Sequence, residues 1–532
     1  MAETKEDPAD AKPKEKTNLG EFLRLGRYVG FVCLTYECLV ISQVSNLIYM
    51  IYGGANANVV SCGDESFENM THSERCEIYN NLNDTADCKY EADFHSVNYE
   101  FGYACSGTKT VKNSISLQMI GIMFGAIVFG QLSDTFGRRK TLIFGTIGLI
   151  ISGTVSTFAT GLYTFTLARF FVMFFTGGKH SVSYVFMMEN LPARHRMWIV
   201  TVITYSPNYL VFTAIAYFCG EWRLTSRVVA AFTFVPLIML MFIFESPRWL
   251  LNKGKFEEAR EAMLGMGKWD HSNSAERTAN LDRIISKEKE RQVVPAGTQR
   301  KRYYTYHLFS TPALATYTVL FAYSLMTTSI ISYGLVFNME KLAGSPYLNT
   351  VIVGSLRYSI NLVCAFVDIR FAWAGRRLLH GFSMGFISAS LGLVFCIEVF
   401  GLNLPGLVRI TALSAAAMGS QIYILNAVAP SELFPTPIRN VGIGFIQTWN
   451  RIGNIIAPQI FVVGDIWGPL PYLLMCGMSL LEVIAYEAFV PETKGKPLPE
   501  HMPDEIERDK DAERAKLQAD HEDIPLTDVP EK

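Results

Sequence analysis

The sequence predicts an all-α membrane protein with twelve transmembrane helices in two six-helix bundles. Half of the 532 residues are hydrophobic and the mean hydropathy is +0.20, which is too apolar for an ordinary soluble protein. Apolar runs long enough to cross a bilayer recur along the chain, and charged motifs at their ends repeat between its two halves. The formal net charge of -2 reflects dispersed charges, so no nucleic-acid partner is expected.

Twelve apolar runs are the predicted spans. They cover approximately 29–52, 114–132, 141–158, 163–187, 197–218, 227–244, 312–336, 350–368, 378–400, 407–427, 441–463 and 470–489. Residues 1–22 and 491–532 are polar and charged and predict two cytoplasmic tails, the first without a cleavable signal peptide. We expect an N-terminal bundle over 23–248, a charged cytoplasmic linker over 249–308 and a C-terminal bundle over 309–490.

A long polar segment, 53–112, follows the first predicted span. It has two Asn-x-Thr glycosylation sequons, at Asn69 and Asn83. Its cysteines are Cys62, Cys76, Cys88 and Cys105. Together these features predict an extracellular, glycosylated loop that is closed by disulfides. Four cysteines allow three pairings, and the sequence does not select one of them.

A charged loop from Gly130 to Lys140 separates the second and third predicted spans. Because Arg138, Arg139 and Lys140 are consecutive cations, the positive-inside rule places this loop in the cytoplasm. One interpretation is a simple topology signal. The other is a structural motif in which the glycines allow close backbone approach and Asp134 accepts hydrogen bonds from a neighbouring helix end.

Acidic residues at the ends of the spans recur with a nearly constant step. In the first half they stand at positions 134, 189 and 245, which gives steps of 55 and 56 residues; the matching positions 372, 432 and 492 are separated by steps of 60. This period predicts two six-helix units in parallel repeat. Position 372 holds Ala instead of Asp, and Asp368, one turn earlier, is the candidate to replace it on the same helix face.

The repeated charges predict a cytoplasmic gate, in which acid–base pairs bridge the two halves in one conformation and separate in the other. An exposed pair contributes only ~0.2–1 kcal/mol, so a network is needed to bias the equilibrium. The alternative is that the charges only cap helices and anchor lipid headgroups. The candidate gating residues are Asp134, Arg138, Glu189, Arg196, Glu245, Arg248, Asp368, Glu432, Arg439 and Glu492.

Two spans contain arginines near the membrane midplane, where charge is costly and usually faces a cavity or a partner. Arg451 lies ten residues inside the run 441–463, on one helix face with Gln447. Arg357 and Asn361 are likewise four residues apart in the run 350–368. We therefore expect these polar faces to line a substrate cavity.

The chain resembles the organic anion, organic cation and carnitine transporter family of the major facilitator superfamily, from approximately residue 20 to residue 500. The resemblance depends on the long first loop and on Glu245-Ser-Pro-Arg-Trp-Leu-Leu251, Tyr333-Gly334-Leu335, Glu432-Leu-Phe-Pro-Thr436 and Pro491-Glu-Thr-Lys-Gly495. The first and last of these motifs also occur in sugar porters. The segment Thr176-Gly-Gly-Lys-His180 departs from the family's usual residues.

The resemblance implies roles for individual residues. The position of Arg451 is typically Asp in cation transporters and Arg in anion and carnitine members, which implies recognition of a carboxylate or sulfate; an internal salt bridge is the alternative. Asn361 stands at a second cationic site of the anion transporters, with Arg357 as its replacement. Tyr333 is expected to line an apolar wall. Glu37 is expected to neutralise an arginine, to bind the cationic end of a zwitterion or to transfer a proton.

These features predict a secondary or facilitative transporter that works by alternating access on organic ions, first of all anions or zwitterions such as carnitine. An organic cation transporter and a sugar porter-like carrier are the alternatives. The sequence has no phosphate loop and no metal-type Cys/His spacing in its cytoplasmic segments, so we expect no enzyme activity, cofactor or metal. The expected partners are a small organic ion and membrane lipid, and the expected location is the plasma membrane.

Overall fold

The computed structural model describes residues 25–56, 58–62, 65–66, 88–103, 108–192, 195, 199, 202–203, 205–271, 274–292, 303–339, 342, 344–371 and 373–494. The two sequons, Cys76, Cys105, Arg196 and Ala372 lie outside these residues, as do the predicted N-terminal tail and most of the C-terminal one.

Helices dominate the first 300 residues. They are α1 (Arg27–Leu47), α2 (Met50–Gly53), α3 (Val97–Glu100), α4 (Thr108–Phe136), α5 (Arg138–Ser156), α6 (Leu162–Asn190), α7 (Ser206–Cys219), α8 (Trp222–Phe232), α9 (Phe234–Phe242), α10 (Pro247–Asn252), α11 (Phe256–Trp269) and α12 (Ala275–Gln292). The last three fall mostly in the predicted linker and share a small core around Trp249, Met263 and Leu281.

Six long helices follow in the remainder of the chain. They are α13 (Pro312–Phe337), α14 (Pro346–Arg370), α15 (Arg376–Val399), α16 (Pro405–Leu433), α17 (Arg439–Ile456) and α18 (Leu470–Phe489), with 3-10 turns at Thr305–Phe309, Ala457–Gln459 and Val463–Asp465. Phe321, Phe434 and Tyr486 form the centre of their apolar core.

A small antiparallel sheet adds to the predicted all-α fold. Its strands are β1 (Asn58–Cys62), β2 (Glu65–Ser66) and β3 (Cys88–Glu91), in the order β2-β1-β3. All three strands lie in the predicted extracellular loop, and the register places Cys62 opposite Cys88. The disulfide pairing and the glycosylation stay predictions.

Glycines allow α4 and α6 to pack closely. A Cβ atom at Gly125 would lie 1.9 Å from the carbonyl oxygen of Phe174, and one at Gly177 would lie 2.3 Å from the carbonyl oxygen of Ile122. Small residues at such contacts are typical of helices in membranes, where backbones approach closely without a hydrophobic driving force.

Eight helices of the described chain are long and apolar enough to cross a membrane by length and composition alone. The other four predicted spans correspond to α5, α6, α7 and α17. Two of these, α6 and α17, contain the intramembrane charges Arg169, Lys179 and Arg451, which lower their mean hydropathy.

The chain divides into two compact units. Unit 1 contains Met1–Gln299, Gly334–Leu362 and Ile455–Asp465, and unit 2 contains Arg300–Tyr333, Val363–Asn454 and Ile466–Lys532. Unit 1 therefore includes two segments from the second half of the chain. The predicted bundles divide the chain by sequence position, on either side of residues 249–308. That division stays a prediction.

Candidate functional site

In unit 1, Arg138 is the centre of a charged cluster at the end of α4. Its guanidinium lies 2.5 Å from the Asp134 carboxylate and 3.3 Å from the Glu189 carboxylate. Glu245 accepts hydrogen bonds from the backbone N–H groups of Arg138 and Arg139, at 2.9 and 3.0 Å. A carboxylate at these free N–H groups caps α5 and complements its dipole.

Unit 2 contains a second cluster of the same design, centred on Arg376. Its guanidinium contacts the Asp368 carboxylate and lies 3.6 Å from Glu432. Glu492 accepts hydrogen bonds from the backbone N–H groups of Arg376 and Arg377, at 2.9 and 3.1 Å. The repeat that the sequence shows in its spacing is thus a repeat of contacts as well.

Further backbone donors surround Glu492, which lies beyond the end of α18. Burial raises the pKa of this carboxyl, but backbone N–H groups, including those of Lys494, Arg376 and Arg377, outweigh burial and lower the pKa below its ordinary value. Backbone N–H groups at the start of α15 and just after Glu492 itself therefore stabilise the charged form of the Glu492 carboxylate.

Glycines make room for both capping carboxylates. Gly137 has a φ of +108, and a Cβ atom there would lie 2.5 Å from Oε2 of Glu245. A Cβ atom at Gly375 would lie 1.9 Å from Oε2 of Glu492. Either side chain would displace the carboxylate from the helix that it caps.

Two other predicted gating residues, Glu432 and Arg439, contact different partners. Arg439 donates to the carbonyl oxygen of Phe434 at 3.2 Å, while the described partners of Glu432 are Arg376 and the Thr493 hydroxyl. Arg248 also takes part in interactions. The gating role of all ten candidates stays a prediction.

Part of the predicted substrate face lies on α17 in unit 2. The side chain of Asn450 donates to Gln447 at 2.9 Å and accepts from Ser329 at 2.5 Å. The adjacent Arg451 is half-buried and makes no ion pair within the residues that the structure describes. Tyr333 lies one turn beyond Ser329 on α13. The internal salt bridge that was the alternative for Arg451 is not seen in this part of the chain.

The other predicted substrate residues lie in unit 1. The Glu37 carboxylate is hydrogen-bonded to Asn208, and its Oε2 atom is buried without a hydrogen bond. The guanidinium carbon of Arg357 lies 5.3 Å from the ring centre of Tyr209, within cation–π range. Glu37 and Arg357 thus contact consecutive residues of α7. Asn361 is buried.

A polar group on α6 received little weight from the sequence. Lys179 is fully buried and donates to the Ser42 hydroxyl at 3.1 Å. His180 is hydrogen-bonded to the Tyr205 hydroxyl, which in turn lies 3.4 Å from Oε1 of Gln43. The sequence did contain a signal for these residues, because an ionisable residue inside a predicted span usually binds a ligand or pairs with another polar group.

Segments from the second half of the chain complete unit 1 at the end of α4 opposite the Asp134 loop. Lys112 donates to the carbonyl oxygen of Phe337 at 3.1 Å, and Ser116 donates to that of Ile455 at 2.9 Å. Gln459 reaches the Ser116 hydroxyl at 3.0 Å. These contacts join the start of α4 to Phe337, Ile455 and Gln459 within unit 1.

The family model of the sugar (and other) transporters matches residues 48–504 of the chain. The chain is 29% identical over 415 residues to the "Organic cation transporter protein" of Drosophila melanogaster, covering 76% of this chain and 73% of that protein. It is 26% identical to "Organic anion transporter 3" of Oryctolagus cuniculus, covering 78% of this chain and 75% of the relative. These similarities confirm the predicted resemblance to organic ion transporters.

Solved structures support the fold. The inward open conformation of the xylose transporter XylE from E. coli matches with a TM-score of 0.60 and 17% identity, covering 88% of this chain and 98% of that one. A crystal structure described as a D-xylose-proton symporter matches with a TM-score of 0.58 and 16% identity, over 88% of this chain and all of that one.

The long apolar helices, the repeated charged clusters and these similarities define a multi-pass membrane transporter with the major facilitator fold, as predicted. Transporters of this class usually reside in the plasma membrane. More narrowly, the chain belongs to the family of sugar (and other) transporters.

Proposed function

We propose that this transporter moves organic ions across the membrane by alternating access, and that its substrates are anions or zwitterions. The observation that carries the proposal is Arg451, a half-buried guanidinium without an ion pair among the described residues. A permanent charge in a membrane helix is costly unless a cavity or a partner compensates it. A substrate carboxylate or sulfate would supply that partner through paired hydrogen bonds.

The neighbours of Arg451 support the same role. Asn450 and Gln447 are engaged with each other and with Ser329, so they fix the polar face of α17 without neutralising the arginine. Tyr333 on α13 would supply an aromatic surface for the apolar part of the substrate. Relatives that are named for organic anion and organic cation transport are compatible with this assignment.

A transporter of cations is the second candidate, and Glu37 is the observation that favours it. Its buried Oε2 atom has no hydrogen bond within the described structure. A carboxylate oxygen in this condition would be compensated by a cationic group of a substrate. A substrate that contacts both Arg451 and Glu37 would need a negative and a positive group, as a zwitterion has. A simple anion would contact Arg451 alone.

Uptake by oocytes that express the full chain tests the proposal. The labelled probes are p-aminohippurate as anion, carnitine as zwitterion, tetraethylammonium as cation and glucose as neutral solute. We expect saturable uptake of p-aminohippurate or carnitine, and a fall of at least about tenfold in that uptake for R451D. R451K should retain part of the uptake, because lysine keeps the positive charge but cannot donate two parallel hydrogen bonds as a guanidinium does. R370D, at an exposed position of α14, is the control.

The outcomes separate the candidates. Uptake of tetraethylammonium that R451D leaves unchanged and E37Q abolishes would favour the cation transporter. Uptake of glucose alone would favour a sugar carrier. Either result would overturn the assignment of anions and zwitterions, while the transporter fold would stand.

A further inference from the structure

A histidine and a glutamate meet in the interior of unit 2. His380 on α15 and Glu482 on α18 have side chains that are 0% and 2% exposed, and Nε2 of the imidazole lies 3.2 Å from Oε1 of the carboxylate. The substrate face on α17 contains neither residue, and the Arg376 cluster does not include them. This is a buried titratable pair without an assigned role.

Few neighbouring groups form hydrogen bonds with the pair. The Ser324 hydroxyl lies 3.3 Å from Nε2 of His380 and accepts a hydrogen bond from Asn426. The groups that can donate to the Glu482 carboxylate are Nε2 of His380 and the Ser324 hydroxyl, while Nδ1 of His380 makes no hydrogen bond within the described chain. The Tyr486 ring stacks on the imidazole, with the ring centres 3.5 Å apart and the planes 8° from parallel. The site is therefore polar but enclosed by four helices, α13, α15, α16 and α18.

The first half of the chain does not repeat this pair. Arg138 corresponds to Arg376 and Glu245 to Glu492, so the counterpart of His380 is Leu142 and the counterpart of Glu482 is Val235. Apolar residues thus suffice at these two positions of the repeat. Replacing a buried ion pair by apolar residues is often neutral or stabilising, so packing alone gives no reason for the pair in the second half.

The charge of the pair depends on a proton. With a neutral imidazole and an ionised carboxylate the site has a net charge of −1, which is costly in a buried place. One added proton makes the pair neutral overall, either as imidazolium and carboxylate or as imidazole and carboxylic acid. The geometry thus favours uptake of a single proton.

The pair lies near the capped end of α15. His380 lies one turn beyond Arg376, at the capped end of α15. A Cβ atom at the adjacent Gly381 would lie 2.3 Å from Oε1 of Glu487, so this partly exposed carboxylate lies against the backbone of α15 one residue after His380. Glu487 is bound to Arg377, the neighbour of Arg376.

The other titratable and charged groups around the site come from each packed helix. Tyr323 on α13 and Tyr486 on α18 both interact electrostatically with Glu482. Tyr486 also interacts with Glu432 at the end of α16, with Glu487 and with Glu492. On α15 itself the nearest cations are Arg376 and Arg377. Tyr486 thus lies close both to the His380–Glu482 pair and to acidic residues of the Arg376 cluster.

We propose that His380 and Glu482 form a proton-binding site that takes up one proton from the cytoplasmic side and whose occupancy controls the Arg376 cluster and thereby the rate of transport. The proton comes from water, passes the Glu487 carboxylate and is shared by the imidazole and the carboxylate of the pair. No other bond forms or breaks. The influence on transport rests on the proposed function, whereas proton binding does not.

Infrared difference spectroscopy against pH tests proton binding on the full-length protein in lipid bilayers without an organic solute. Between about pH 5.5 and 8.5 we expect a titrating signal of the pair in the wild type, its loss in H380Q/E482Q and its retention in E398Q, a control at the exposed far end of α15. H380L/E482V, which copies the first half, is a second variant should the glutamines disturb folding. A wild type without this signal, or a double variant that keeps it, would overturn the proposal.

Uptake of p-aminohippurate against pH tests control of transport. We expect the wild-type rate to vary by up to about tenfold per pH unit on one limb of the profile, and the profile of H380L/E482V to be flat while E398Q follows the wild type. E487Q should reach the same endpoints but respond more slowly to a pH jump. Identical profiles for wild type and H380L/E482V would refute the control of rate. If the wild type does not take up p-aminohippurate, the same profiles are measured with carnitine; absence of uptake of both would refute the proposed substrate class and leave the infrared result unaffected.

Discussion

The carboxylate of Glu492 accepts a hydrogen bond from the backbone N–H of Arg376 at 2.9 Å, and so fixes the start of α15 to the chain that follows α18. Glu245 does the same for α5 in the first half of the chain. In each cluster a backbone cap and a side-chain ion pair share one arginine. A conformational change that moves the arginine would therefore also disturb a helix end, which makes the clusters suitable two-state elements.

Charge reversal at Glu432 should impair transport more than folding. In E432K the new ammonium would face Arg376 and repel it, whereas the apolar core of unit 2 would be unchanged. We expect uptake to fall by about tenfold or more, which corresponds to ~1.4 kcal/mol in the rate-limiting step, with surface biotinylation close to the wild type. E398K, at an exposed position, is the control. Equal losses of uptake and surface protein would indicate a purely structural role.

Asp368 should be replaceable by an aspartate at position 372. Asp134 precedes Arg138 by four residues, and Ala372 precedes Arg376 by four, whereas Asp368 precedes it by eight. We expect D368N to reduce uptake by several-fold and D368N/A372D to restore it, because the new carboxylate would precede Arg376 by four residues, as Asp134 precedes Arg138. A372D alone should have little effect. Failure of the double variant to recover would show that Asp368 has a further function, such as its 3.3 Å contact with Lys494.

Substitution of Gly375 should destabilise the transporter. A Cβ atom at Gly375 would lie 1.9 Å from Glu492, whereas a Cβ atom at Gly385, on the same helix, meets nothing within 4 Å. We expect G375A to lower the apparent melting temperature in detergent, by the equivalent of ~0.5–2 kcal/mol for a displaced cap, and G385A to leave it unchanged or slightly raised. Equal melting temperatures for the two variants would contradict the capping geometry.

Cross-linking of positions 116 and 459 in unit 1 should arrest transport. Ser116 and Gln459 are hydrogen-bonded at 3.0 Å, so cysteines at the two positions should react with a short bis-methanethiosulfonate reagent. Because alternating access requires these positions to separate, we expect S116C/Q459C to lose uptake after treatment and to regain it on reduction. S116C and Q459C alone are the controls. Normal uptake by the cross-linked double variant would show that these contacts stay closed throughout the cycle.

Sequence reasoning predicted the fold because long apolar runs and repeated charges are strong, local signals. It also singled out Asp368, since a missing aspartate in one repeat draws attention to the nearest carboxylate. It did not foresee that Arg439 binds a carbonyl oxygen while Glu432 binds Arg376, because the choice between partners depends on how the helix ends turn.

The His380–Glu482 pair shows a different limit. Its members are about 100 residues apart in sequence, and each lies in a predicted span that also contains a second ionisable residue, Glu398 or Glu487. The signal available was the presence of an ionisable residue inside each of two spans, which suggests a partner but does not name it. Only the packing of α15 against α18 identifies the partner.

The composition of unit 1 has a consequence for biosynthesis. Because Gly334–Leu362 and Ile455–Asp465 belong to it, the unit that begins at the N-terminus cannot be complete when the ribosome has made the first 300 residues. Lys112, for example, cannot donate to the carbonyl oxygen of Phe337 until that residue has been synthesised and inserted. Final assembly of the early helices therefore depends on nearly the last span to leave the translocon.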